Sequence, residues 1–239
     1  MSTPALVRRV YEDNHLLVVV KPPNMPTQAD DSGDPDLQRV MKEDVARRHT
    51  KPGAVYLGLV HRLDRPVGGL VVLARTSKAA ERLSRQVREK TLARQYLAVV
   101  RGSAPEGARL EDLLLKDARS NTVRVVPTAQ AGAKAAALSY TCLARASGLS
   151  LLRVTLETGR SHQIRVQLSH AGLPIWGDAR YGKGRPGEQI ALWGAFLGLE
   201  HPTKKEAMRF CALPPVQMPW TEFGQALEGL QEAEAHIIP

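Results

Sequence analysis

Cysteine is nearly absent from this 239-residue chain, which has only Cys142 and Cys211, far apart in sequence. That excludes a disulfide-stapled scaffold and fits a reducing compartment, so the cytoplasm is the expected location. No apolar run approaches the roughly 18 residues of a membrane-spanning helix, and no membrane association is expected. Met1 to Arg9 lacks the apolar core of a signal peptide. There is no collagen-like period and no internal repeat, and a hydrophobic content of 43% excludes a disordered chain. Lys and Arg are missing from Cys211 onward, where four Glu stand. The net charge is +9, so this tail's −4 leaves +13 on residues 1–210. Of the 33 basic residues 23 are Arg, whose planar fork suits phosphates and stacks on bases. Such a body calls for a polyanion, with nucleic acid as the first candidate.

The chain reads as one α+β domain over residues 1–239, with an acidic helix or tail at about 216–239. Strands are expected at Leu6–Val10, Leu16–Val20, Leu57–Val60, Leu70–Ala74, Gln95–Arg101, Ala136–Leu143, 150–158, Ile190–Leu199 and Met208–Ala212. Helices are expected at 37–48, at 77–90 capped by Ser77, at 162–170 capped by Ser161 and stopped by Gly172, and from Trp220 to about Leu230. Residues 102–134 show no clear period. Strands without regular βαβ alternation argue for a mixed, largely antiparallel sheet flanked by helices. Lys78, Arg82 and Arg85 share one face of the second helix, either a solvated face or a stripe that tracks phosphates.

Several familiar patterns fail. Gly182-x-Gly184-x-x-Gly187 lacks a preceding strand and carries Pro186 where a dinucleotide site needs a helix start. Gly177-x4-Gly182-Lys183 continues with Gly184 where a P-loop needs Ser or Thr, so a flexible loop is the expectation and nucleotide hydrolysis is not. The His and Cys residues offer no zinc-ligand spacing, and no nucleophile elbow surrounds Ser161.

Two sets of charged residues stand out. His61-Arg62-Leu63-Asp64 lies between two apolar strands and ahead of Gly68-Gly69, where a backbone or substrate could approach closely. Thr158-Gly159-Arg160-Ser161-His162-Gln163-Ile164-Arg165 gathers cations at a helix start, whose free N–H groups attract phosphate.

Together these stretches resemble the RluA-type family of pseudouridine synthases. KPPNMPTQ is similar to that family's first motif, VHRLDRPVGGLVVLA to its catalytic motif and ARQYLAVVRG to its tyrosine motif. TGRSHQIRVQLSHAGLPIWGDARYG and LEHPTKKEAMRFCALPP are similar to its later motifs. The resemblance covers about residues 7–215 in order. It implies the pseudouridine synthase fold with a cleft across the middle, and no S4-type domain ahead of the first motif. It departs at Val67-Gly68, where the family usually has Thr-Ser, and at Arg94 and Trp193.

By this resemblance Asp64 is the catalytic carboxylate, Tyr96 the active-site tyrosine, and Arg165 the cation paired with Asp64. Arg62 fills the gap left by a flipped nucleotide. His61, Arg82, Arg85, Arg160 and His162 are further expected RNA contacts. The implied reaction isomerises uridine in structured ribosomal or transfer RNA, breaking N1–C1′ and joining C5 to C1′. Substrate and product contain the same atoms, so no cofactor or metal is expected. An ionised Asp64 can act by attacking C1′, by attacking the base or by steering elimination. Arg165 favours that charged state, Tyr96 can stack on uracil and assist proton removal from C5, and the base must leave its stack. A monomer without an obligate protein partner is expected. The competing reading is an RNA-binding protein of the same fold without catalysis, which the presence of Asp64, Tyr96 and Arg165 disfavours.

Overall fold

The computed structural model describes residues 7–49, 54–185 and 187–235. Leu6 and residues 236–239 of the acidic tail, both placed in elements above, lie outside the described residues. The chain divides into two compact units, Met1–Ala93 with Gly194–Ala212 and Arg94–Trp193 with the segment from Leu213.

In the first unit, β1 (Arg8–Glu12) and β2 (Leu16–Lys21) form a hairpin. Asp13 makes its turn, accepting the His15 and Leu16 N–H groups on Oδ1 at 2.8 Å each. β2 pairs antiparallel with β4 (Gly68–Ala74), from Leu16 opposite Ala74 to Lys21 opposite Gly69, and the short β3 (Gly58–Leu59) pairs with β4 as well. Every residue of β4 is buried, as its continuous apolar run requires. A Cβ on Gly69 would fall 2.4 Å from the Gly194 backbone, so the close approach that Gly68-Gly69 permits is made by β10 (Leu192–Glu200). β11 (Ala207–Cys211) pairs with β10. Helix α1 spans Leu37–His49 and buries Leu37, Met41 and Val45 at helical spacing. Helix α2 spans Ser77–Arg88, with Ala79 and Leu83 in one core with Leu16, Val18, Leu70 and Val72. Its cap is Thr76 and not Ser77: Thr76 is extended, and its Oγ1 accepts the Ala79 N–H at 3.1 Å.

The second unit carries β5 (Ala93–Arg101), β6 (Gly107–Asp117), β7 (Thr122–Val126), β8 (Lys134–Ala146) and β9 (Leu149–Leu156), in the order β5-β9-β8-β6-β7 with every neighbour antiparallel. Ser147 and Gly148, both at positive φ, join β8 to β9 in the two-residue turn whose twist suits a hairpin. β6 and β7 occupy the stretch that shows no period in the sequence. β6 has only one buried residue, Leu114, and carries charges on the face that core strands reserve for apolar residues. Helix α3 (Gln163–His170) seats Val166 against Leu114, Val123 and Ala136. The expected Ser161 cap is absent: the residue before α3 is His162, left-handed at φ 52°, with no side-chain capping bond. Gln163 holds that turn instead, its Oε1 accepting the Arg160 N–H at 3.0 Å and the Thr158 hydroxyl at 2.8 Å. At the other end Gly172, at φ 77°, provides the left-handed stop. A 3-10 turn (Trp220–Phe223) leads into α4 (Gly224–Ala235).

Candidate active site

In the first unit, residues 61–67 run from β3 to β4 without regular structure, yet they are closely held. His61 is buried, and its Nε2 accepts the Val72 N–H of β4 at 3.1 Å. Leu63 is buried, with its carbonyl accepting from Thr27 Oγ1 at 2.8 Å. The Arg65 carbonyl accepts from Lys21 Nζ at 3.1 Å, and the Asp64 carbonyl from Val67 N–H at 2.9 Å. With His61 and Leu63 turned inward, alternation leaves Arg62 exposed and Asp64 half-buried. His61 thus serves β4 rather than the surface, which removes it from the expected RNA contacts. Val67 is buried and Gly68 opens β4, so the departure at these positions concerns the core.

Lys21 is the residue the sequence motifs left without a role. It ends β2, is wholly buried, and donates to the carbonyls of Pro22 at 3.0 Å, Met25 at 2.7 Å and Arg65. Three acceptors match the three N–H bonds of an ammonium. Burial opposes the charge and pulls the Lys21 pKa down to about 7, while the Asp64 carboxylate pulls it up. Lys21 thereby ties the turn that carries Asp64 to the loop after β2. An unfolded lysine keeps its proton to about pH 10.4. Between these values the unfolded chain binds more protons, so stability rises with pH across the window. Denaturant unfolding should show a larger gain from pH 7 to 9.5 in the wild type than in Lys21→Met, which itself should lose about 3 kcal/mol through stranded carbonyls. An equal gain in both proteins would contradict this reading of Lys21.

On α2, Lys78 and Arg85 are exposed, while Arg82 donates to the Pro202 carbonyl at 2.6 Å and Gln86 clasps Glu200 through both of its amide atoms at 2.7 and 2.9 Å. Part of the predicted stripe therefore anchors the 200–205 turn, leaving Lys78, and Arg85 in its exposed 3.7 Å pair with Glu81, for solvent or ligand.

The second unit holds Tyr96, buried on β5 opposite Val154 of β9. Arg165 is buried on α3 and makes a bidentate pair with Asp178, Nε to Oδ2 and NH2 to Oδ1, both at 2.8 Å. Burial alone would raise the Asp178 carboxyl. The Arg165 guanidinium, with the Tyr181 and Arg180 N–H groups, holds it below the usual range. The Arg165 guanidinium carbon also sits 5.1 Å from the Tyr181 ring centroid. Arg160 is exposed and donates through Nε to the Ala135 carbonyl at 3.0 Å.

The loop that supplies Asp178 and Tyr181 is not the flexible connector its glycines suggest. A Cβ on Gly177, Gly182 or Gly184 would lie 2.4–2.5 Å from the backbone of Gln189, Ile175 or Gly177, respectively. Gly182 and Gly184 donate N–H to the Asp178 carbonyl at 2.8 and 3.1 Å. Glycine serves close packing here, not phosphate binding. The acid in the sequence GDARYG was the available signal, because a buried Arg on α3 needs a carboxylate partner.

Residues 15–170 match the family model described as RNA pseudouridylate synthase. The chain is 36% identical over 183 residues to a ribosomal large subunit pseudouridine synthase C from Buchnera aphidicola, covering 76% of this chain and 56% of that protein. It is 34% identical over 211 residues to the Escherichia coli protein of the same description, covering 84% of this chain and 64% of the relative. The chain thus spans between about half and two thirds of these curated relatives. A solved structure of human RNA pseudouridylate synthase domain containing 4 superposes with a TM-score of 0.74 at 20% identity, covering 92% of this chain and 93% of that one. That likeness shows the fold: α+β, built on a central, largely antiparallel sheet.

Proposed function

The chain belongs to the RNA pseudouridylate synthase family, and on that premise we propose that it isomerises uridines in structured ribosomal or transfer RNA to pseudouridine. The observation that carries this reading is the anchored stretch 61–67, in which His61, Leu63 and Val67 are buried while Arg62 is exposed and Asp64 half-buried. In the reaction N1–C1′ breaks, the uracil turns, C5 joins C1′, and the proton leaving C5 is balanced by one gained at N1. Asp64 is the carboxylate that acts on the substrate. Arg165 is its cationic partner, the role its motif implies, and Tyr96 stacks on the uracil and assists the C5 proton. Arg62 stacks where the flipped uridine was, offsetting the few kcal/mol lost in unstacking. The chain acts as a single catalytic domain, a monomer in the cytoplasm that needs no cofactor.

Arg85, Arg160 and His162, with Arg82 in a supporting place, hold the RNA backbone. RNA affinity should therefore fall steeply with salt. Arg85→Gln is expected to reduce the slope of log affinity against log salt by about one unit without changing which uridine reacts. A filter-binding titration across salt concentrations reads this directly. An unchanged slope would return that face of α2 to ordinary solvation.

A further inference from the structure

The loop after α3 contains a tyrosine that reaches back to the two functional residues of the preceding motif. His162 occupies the left-handed region at φ 52°. For a residue with a Cβ that conformation is disfavoured and persists only where its surroundings impose it. No capping bond imposes it. His162 Nδ1 lies instead 2.8 Å from the Tyr181 hydroxyl, with the two rings edge to face at 5.7 Å.

The direction of that hydrogen bond follows from the third partner. The Tyr181 oxygen accepts the Val123 N–H of β7 at 2.9 Å. A phenol has one proton to give. Among the described residues the hydroxyl meets no partner besides Val123 and His162, and with Val123 N–H already on its oxygen the arrangement favours donation of the phenol proton to His162 Nδ1. Burial raises the Tyr181 pKa, so the phenol keeps that proton. Nδ1 is then an acceptor, and the ring proton of His162 sits on Nε2. Whatever meets Nε2, protein or RNA, meets a donor.

Tyr181 is in turn fixed on all sides. Its N–H and that of Arg180 go to Asp178 Oδ1 at 3.1 and 3.0 Å, and Ser169 Oγ donates to its carbonyl at 2.6 Å. Its ring lies against the Arg165 guanidinium, which donates two hydrogen bonds to Asp178. One side chain thus touches both His162 and Arg165, and its own position is set by backbone groups that do not depend on substrate.

We propose that Tyr181 is a positioning residue for the reaction: its hydroxyl holds His162 in the Nε2–H form, and its ring holds Arg165, so that both side chains are preset before RNA binds. The proposal rests on the functional reading above and adds a residue that acts only through others.

Nitrogen-15 spectra of the histidine side chains test it without reference to activity. His162 is assigned by the signal lost in His162→Gln. The wild-type protein should show His162 with its proton on Nε2. Tyr181→Phe, which keeps the ring on Arg165, should show a mixture of the two tautomers. A wild-type His162 carrying its proton on Nδ1, or a tautomer unchanged by Tyr181→Phe, would overturn the proposal, and the first of these needs no variant to fold. Turnover completes the test. Tyr181→Phe should lower kcat/KM on a stem-loop tenfold or more in the wild-type background. In the His162→Gln background, where a side-chain amide replaces Nε2–H and no tautomer remains to be set, it should lower it less than threefold. An equal loss in both backgrounds would make Tyr181 a packing residue. Methylphosphonate linkages beside the target separate the two sources of an RNA acceptor for Nε2–H: the tenfold difference disappears at one linkage if the oxygen is a phosphate's and survives at all of them if it is a base carbonyl's. Absence of pseudouridine from wild-type reactions would fail the functional reading, leaving the tautomer result standing.

Discussion

Asp64→Asn is expected to abolish pseudouridine formation, with a loss of at least about a thousandfold, while RNA affinity stays within about threefold. Asparagine keeps the size of the side chain and discards the charge that can attack or steer. The fold should tolerate the change, because the anchors of this stretch are a Thr27 hydroxyl, the Lys21 ammonium and the Val67 N–H, all bonded to backbone carbonyls. One side effect follows from the electrostatics. The Asp64 carboxylate supports the Lys21 charge against burial, so its removal should push the Lys21 pKa below about 7. Substantial turnover by a clean Asp64→Asn preparation would remove Asp64 from the mechanism.

Arg165→Met should fail in two separable ways. Asp178 is 1% exposed, and without Arg165 its carboxylate is a buried charge without a cation, a loss of about 3–5 kcal/mol in stability. Turnover should fall by about 10² to 10³, the usual effect of removing one charged donor from a reacting centre. Adding Asp178→Asn removes the stranded charge and leaves an oxygen for the Arg180 and Tyr181 N–H groups. The double variant Arg165→Met/Asp178→Asn should therefore regain most of the stability and none of the turnover. Recovery of both together would show that Arg165 matters only as the partner of Asp178, and the role given it toward Asp64 would fall.

How much of this was legible in the sequence depended on which physical signal a residue carries. β2 and β4 are continuous apolar runs, and α1 has its apolar residues at helical spacing, so their places followed directly. β6 and β7 did not, because their hairpin is wet along most of its length and tertiary pairing overrides the missing period. Caps at Ser77 and Ser161 were reasonable by residue type. Thr76 took the first through its extended backbone, and Gln163 took over the second by reaching back into the turn. Charged residues stood out in the sequence by their apolar or Gly-rich surroundings, but not as buried or exposed. Nothing in HRLD says that His61 points inward, until Val72 is seen to need an acceptor. Lys21 ends an apolar strand and looks like its solvent boundary, whereas it is one of the most buried side chains in the protein. Asp178 and Tyr181 were hidden for a related reason: their loop reads as glycine-rich and mobile, and only the backbone contacts at Gly177, Gly182 and Gly184 reveal why those glycines are there.

The central claim is that this chain itself converts uridine to pseudouridine, and the hydrogen on C5 reports it. Forming the C5–C1′ bond displaces that hydrogen, so RNA tritiated at C5 of its uridines releases tritium to water as the reaction proceeds. Total RNA so labelled, from cells lacking this protein, should release tritium on incubation with the purified chain. Release should reach a plateau equal to a small whole number of uridines per target RNA, with none from Asp64→Asn. Pseudouridines mapped in the same RNA should appear at those positions. No release from wild-type protein that binds the same RNA would contradict the account and favour an RNA-binding protein that keeps the fold without the chemistry.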